Sequence, residues 1–185
     1  LESQKQDSMA PMQVSWPLLS ALILIPGFFS LSLGGPRNLP DRQAADDALM
    51  QISARVEESL DNGERVLFIS QRHLLTMGML EAPLIHDYEK LFLMEMAISN
   101  NDPYLLRFAN DIDQHAFGLI ISDPLFNQIK DESDDPLAPE NNAWVRFVTR
   151  PVLCAYHVER TYEDLSIELL APSYGNKCNQ CFKYA

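Results

Sequence analysis

Apolar and polar positions are distributed unevenly along the chain. From Trp16 to Gly35 the sequence WPLLSALILIPGFFSLSLGG runs for twenty residues without a charge, inside an uncharged stretch from Ser8 to Pro36. A helix rising about 1.5 Å per residue over that length matches a hydrocarbon core about 30 Å thick. Trp16 stands at one end, where an amphipathic ring favours the headgroup level. Pro26-Gly27 would break a soluble helix but is tolerated, with a kink, within a membrane span. A secretory signal would have a shorter apolar core and a basic start, whereas this chain opens Leu1-Glu2. A buried core helix would show polar periodicity. The pattern therefore predicts a flank over 1–15, a transmembrane helix over 16–35 and a short stiff connector, PRNLP, over 36–40.

Beyond Asp41 the pattern becomes that of a globular domain, over 41–172, with a tail over 173–185. Ala45, Leu49, Ile52, Val56 and Leu60 recur at near-helical spacing. Asp41 is placed to cap that helix, Asp46 and Asp47 suit its dipole, and Asn62-Gly63 gives a stop. Arg65 to Ser70 (RVLFIS) is a short β-branched and aromatic run, as in a strand covered on both faces. Gln71 to Leu80 reads as a loop with a helical turn, and Ala82 to Ile85 as a short second strand. Helices follow over Tyr88 to Ile98 and from Asp102, which is taken as the cap with Pro103 in the first turn. Phe117 to Ser122 (FGLIIS) is a further buried strand. Asp131 to Asn142 reads as an exposed acidic loop, and Ala143 to Val148 as a short helix. Val152 to Val158 and Leu165 to Ala171 read as strands whose link is too short for a crossover, so they should pair antiparallel. The expected fold class is α/β: a mixed, mostly parallel sheet with flanking helices and an antiparallel C-terminal hairpin, preceded by one transmembrane helix.

Charge sharpens this division. The 185 residues carry a formal net charge of −12, from 14 basic and 26 acidic side chains. Residues 1–35 hold one base (Lys5) and two acids (Glu2, Asp7), so nearly all of the negative charge lies on the domain. A chain this acidic is not built to neutralise phosphates, which argues against nucleic acid as a partner. Lys5 precedes the apolar segment while Arg37 and Arg42 follow it, a positive-inside count that leans towards a cytoplasmic domain.

Candidate chemistry is sparse. Ligands of open α/β sheets bind at the carboxyl ends of strands, and there Arg72 and His73 are the best-placed polar side chains. Against that, Arg72 could simply pair with a surface acid and His73 cap the next turn. His86, Asp87 and Glu89 cluster in sequence, and Asp111 and His115 share a helix face, but neither set has the spacing of a specific metal motif. The loop Asp131-Glu132-Ser133-Asp134-Asp135 lacks the glycine and terminal glutamate of a calcium loop. Cys178 and Cys181 form a CxxC in the tail, and Cys154 lies in an expected strand. With no second CxxC a zinc ribbon is not supported, and Cys178 and Cys181 are read as a candidate disulfide. No dinucleotide fingerprint, P-loop, nucleophile elbow or glycosylation sequon is present, so no cofactor, metal or nucleophilic catalyst is expected.

The order of the segments WPLLSALILIPGFFSLSLGGPRNLP, NGERVLFISQRHLLTMG, HDYEKLFLMEMAISNNDPYLLRFANDI and FGLIISDPL resembles bacterial many-pass membrane glycosyltransferases. These are GT-C relatives of the dolichyl-phosphate-mannose protein mannosyltransferases. The resemblance covers residues 16 to 171. It implies a lipid-linked sugar donor and a last transmembrane helix followed by an extracytoplasmic α/β domain. The family's catalytic acid belongs to an early loop absent from this chain, so no catalytic residue is carried over. The expected role is an accessory, non-catalytic domain that meets a glycan or protein acceptor, anchored in the bilayer through 16–35. The alternatives are a stand-alone single-pass binding module and a small enzyme using Arg72 and His73.

Overall fold

The computed structural model describes residues 41–133 and 135–174. The chain divides between Leu39 and Pro40, and the described residues all belong to the second unit. The expected span over 16–35, the connector, and the Cys178–Cys181 pair lie outside the described residues. Among those described, no helix is long and apolar enough to cross a membrane.

Helix α1 (Arg42–Asp61) buries Ala48, Ile52, Val56 and Ser59, a single stripe at helical spacing. Asp41 precedes it without a side-chain capping bond, and Asp46 and Asp47 fall beyond its first turn. Its end is the expected one. Gly63 takes φ +75°, a left-handed conformation that glycine adopts without a steric penalty, and its N–H bonds to Leu60 O at 2.9 Å. The chain then reverses into β1 (Val66–Phe68), which is fully buried.

A long crossover follows, comprising α2 (His73–Thr76), a 3₁₀ turn (His86–Tyr88), α3 (Lys90–Ile98) and α4 (Asp102–Asp113). It leads to β2 (Leu119–Ser122), which pairs parallel to β1 with Val66 opposite Leu119. Ala82 to Ile85 is not a strand; Pro83 there cannot donate to a ladder. Asn101, not Asp102, caps α4: its Oδ1 accepts from the Tyr104 N–H at 3.3 Å, while Pro103 sits in the first turn as expected. The expected acidic loop is shortened because α5 (Ala138–Trp144) begins within it. Asn142 is buried there, its side chain bonded to both the N–H and C=O of Lys130.

The last part departs most from expectation. From α5 the helix continues through a π turn (Val145–Thr149) into α6 (Arg150–Ala155). Strand β3 (Tyr156–Tyr162) starts four residues later than anticipated, and β4 (Ile167–Pro172) returns antiparallel to it. Val148 and Val152 are β-branched but serve a buried helix face. A short apolar run does not by itself distinguish the two states.

The sheet order is β1-β2-β4-β3. Only β1 and β2 are parallel; β4 inserts antiparallel between β2 and β3, with Ser122 opposite Glu168. The α/β class and the C-terminal hairpin therefore stand. The sheet, however, is mixed and not mostly parallel, because the hairpin folds back beside β2 and supplies two of its strands.

Residues alternate between the two faces of the sheet. Leu67, Ile69, Ile120 and Leu170 pack with Leu93 of α3, Phe108 and Ile112 of α4, Val148 of the π turn and Val152 of α6. Val66, Phe68, Leu119, Ile121 and Leu169 pack with Ile52 and Val56 of α1 and Leu74 of α2. The result is three layers, α/β/α. Tyr156 joins α6 to the sheet: its hydroxyl donates to Phe117 O at 2.9 Å and accepts from Phe117 N–H at 3.3 Å. Burial pushes this phenol up to about 12.

Candidate functional site

The carboxyl ends of β1 and β2 lie side by side, so the residues that leave them are brought together by the parallel pairing. After β1 the chain turns sharply at Gln71, which holds φ +60°. That turn sends the Gln71 amide across to Asp123, the residue following β2, at 2.6 Å. Lys90, first residue of α3, donates its backbone N–H to Ile69 O at 2.6 Å and its Nζ to Asp123 Oδ2 at 2.5 Å. The Asp123 N–H bonds to Ser70 Oγ at 2.5 Å. Burial resists the charge on Asp123. The hydrogen bond and charge of Lys90, with hydrogen bonds from Ser70 and Gln71, outweigh it and hold the carboxyl below its ordinary value.

Arg72 and His73 were the side chains expected here. Arg72 is at the site but is engaged, its Nη1 lying 2.6 Å from Glu89 Oε2. His73 is exposed at the start of α2, and only its carbonyl is used, by Met77 N–H and Thr76 Oγ1. The fold thus places the two in one loop without joining their side chains. The residues sequence reasoning passed over are Lys90 and Asp123. Asp123 follows the second buried strand just as Gln71 follows the first, so the same strand-end rule applied to β2 points to it.

The other candidates do not converge. Asp111 accepts from the Tyr88 hydroxyl at 2.7 Å, and His115 Nε2 lies 2.9 Å from Ala155 O. Asp131 accepts from Ser133, and Asp135 from Lys130 Nζ at 2.7 Å. Among the described residues no group of three or more His, Cys, Asp or Glu could hold a metal ion. Cys154, on α6, is disulfide-bonded.

A second polar region lies between α1 and the hairpin. Two adjoining cavities of about 330 and 380 Å³ share Gln51, Arg160 and Tyr162 in their walls. Arg160 donates to Gln51 Oε1 at 2.6 Å, and Arg55 is paired with Glu159 at 3.1 Å. Ala44, Ala45 and Ala48 give one wall a low apolar relief, and Asp47, Glu163 and Asp164 give the rim a negative charge. The Tyr162 hydroxyl is buried without a hydrogen-bond partner among the described residues.

No protein-family model, curated protein or solved structure matches the chain.

Proposed function

We propose that residues 41–172 form an accessory, extracytoplasmic domain of a membrane glycosyltransferase that uses a lipid-linked sugar. In this reading the domain recognises an acceptor and does not itself carry out the transfer. The observation that carries it is the contrast between the two polar regions. At the strand ends, Asp123 and Lys90 neutralise each other and Arg72 is held by Glu89. A carboxylate held ionised in this way is a poor general base, since acid–base catalysis favours a pKa near the working pH. In the α1–hairpin groove the Arg160 guanidinium is bonded instead to a neutral amide, that of Gln51, beside an aromatic ring and small apolar side chains. That mixture suits the hydroxyls and apolar faces of an uncharged sugar, and its acidic rim disfavours phosphorylated ligands.

The resemblance to many-pass glycosyltransferases and the apolar segment over 16–35 support the membrane context. The bond at Cys154 supports an oxidising, extracytoplasmic side.

The test is a steady-state comparison in membranes carrying the complete enzyme. Gln51→Ala combined with Arg160→Ala is expected to raise the acceptor KM about tenfold, with kcat within about twofold of the parent. A collapse of kcat at unchanged KM would overturn the non-catalytic reading.

A further inference from the structure

Cys154 lies near the end of α6 and is held in a disulfide. The chain carries two other cysteines, Cys178 and Cys181, with two residues between them. Three cysteines cannot all pair within one chain. A bond from Cys154 to either of the others therefore leaves a third sulfur over, three positions along the tail from the bonded one.

The described residues bring the start of the tail to Cys154. The unit that contains them runs from Pro40 to Ala185. Strand β3 leaves α6 directly after Ala155, and Tyr156 at its head stands opposite Pro172 at the end of β4. The next residue continues that closure, the Ser173 N–H donating to Ala155 O at 2.8 Å. The same carbonyl lies 2.9 Å from His115 Nε2, and the His115 ring is 5.4 Å from that of Tyr174. His157 Nδ1 is 3.4 Å from Ser173 Oγ. The hairpin thus begins and ends at one place, and Cys154 immediately precedes it. From Tyr174 the chain reaches at most about 14 Å to Cys178, against the Cα separation of up to about 7 Å that a disulfide spans. Lys177 and Lys183 are the only charged side chains after Tyr174, and an ammonium beside a cysteine favours its thiolate.

We infer that Cys154, Cys178 and Cys181 form a thiol-gated clasp on the β3–β4 hairpin, with one disulfide shared among three sulfurs. In the closed form Cys154 is bonded to one tail cysteine and the other is a thiol. Opening is an exchange. The thiolate of the free tail cysteine attacks the tail sulfur of the bond, and a Cys178–Cys181 bond forms. Cys154 leaves as the thiolate and takes up the proton that the attacking thiol gave up. One sulfur–sulfur bond breaks and one forms, so neither oxidant nor reductant is consumed. Folding sets the balance. The seated hairpin holds the start of the tail beside α6, which raises the effective concentration of the tail sulfurs at Cys154. In the unfolded chain that advantage is lost, and the short loop between Cys178 and Cys181 is the easier to close. The clasp is closed only while the hairpin is seated, and it then ties β3 and β4 into a covalent ring with α6.

The test is disulfide mapping of the full chain, purified without reductant, quenched in acid and alkylated with N-ethylmaleimide before digestion. In the folded chain the Cys154 peptide is expected to be joined to the tail peptide, with one tail cysteine alkylated. Incubation in guanidinium at mildly alkaline pH should raise alkylation of Cys154 about tenfold or more, with a matching gain of the Cys178–Cys181 bond and still one disulfide per chain. Whichever of Cys178→Ser and Cys181→Ser keeps the Cys154 bond lacks the attacking sulfur, so its Cys154 should stay bonded in guanidinium. Hydrogen exchange over residues 156–172 should be faster in Cys154→Ser than in that variant.

A folded chain in which Cys154 is alkylated and Cys178 is bonded to Cys181 would overturn the inference. So would a Cys154 bond to a second copy, seen as a dimer on non-reducing electrophoresis. A Cys154–tail bond that persists unchanged in guanidinium would remove the exchange, and the clasp with it.

Discussion

Asp123 shows how one side chain joins two strands to a helix. Its carboxylate takes hydrogen bonds from Gln71 and Lys90, and its backbone N–H bonds to Ser70. Because its pKa is lowered on folding, the folded state holds its charge more readily than the unfolded state does. The stabilisation is therefore complete above the unfolded value of about 3.9 and is lost as pH falls below it, through the lower folded value. Asp123→Asn should flatten the acid limb of a plot of melting temperature against pH, leaving the neutral region lowered by about 1 kcal/mol. The modest figure reflects a pair that is partly open to water. An unchanged acid limb would mean that the charge on Asp123 contributes nothing to acid stability.

At the scale of elements, the junction of α6 and β3 is held by Tyr156, which spans to both polar groups of Phe117 at the head of β2. Tyr156→Phe leaves a buried N–H and C=O without that partner. The variant should lose about 1–3 kcal/mol in chemical denaturation, with the secondary structure retained. This junction is also where sequence reading failed. β1 and β2 were legible because each is a compact apolar run closed by polar residues, and α1 because a glycine ends it. Residues 152–158 were misread because Val152, Leu153 and Ala155 give no period over so short a run, and a π turn upstream shifts the phase of the helical pattern. The partners at the candidate site were half legible for a similar reason. Arg72 is adjacent to its strand, but Lys90 reaches the site only through a crossover of some twenty residues that no local pattern encodes.

For the whole molecule, the charge imbalance first read from composition becomes a matter of geometry. The acids crowd a domain whose exposed large apolar side chains are scattered, from Met50 on α1 and Leu106 on α4 to Leu137 before α5 and Val158 on β3. The two polar regions are neighbours but share no side chain, so substitutions at Gln51 and Arg160 should change acceptor affinity while leaving in place the acid limb that Asp123 sets.

Strand β3 is an edge of the sheet, exposed from His157 to Thr161, and its register slips between Val158 and Arg160. The extra residue is Glu159, clamped by Arg55 of α1. An unguarded edge is a template on which another chain can add a strand; a bulge carrying a pinned charge spoils that template. Deleting Glu159 would straighten the edge and remove its charge together. Light scattering on that variant should then show growth into oligomers with time, at concentrations where the parent stays dispersed. One inserted residue would thus decide whether this protein remains a discrete particle or grows into an aggregate.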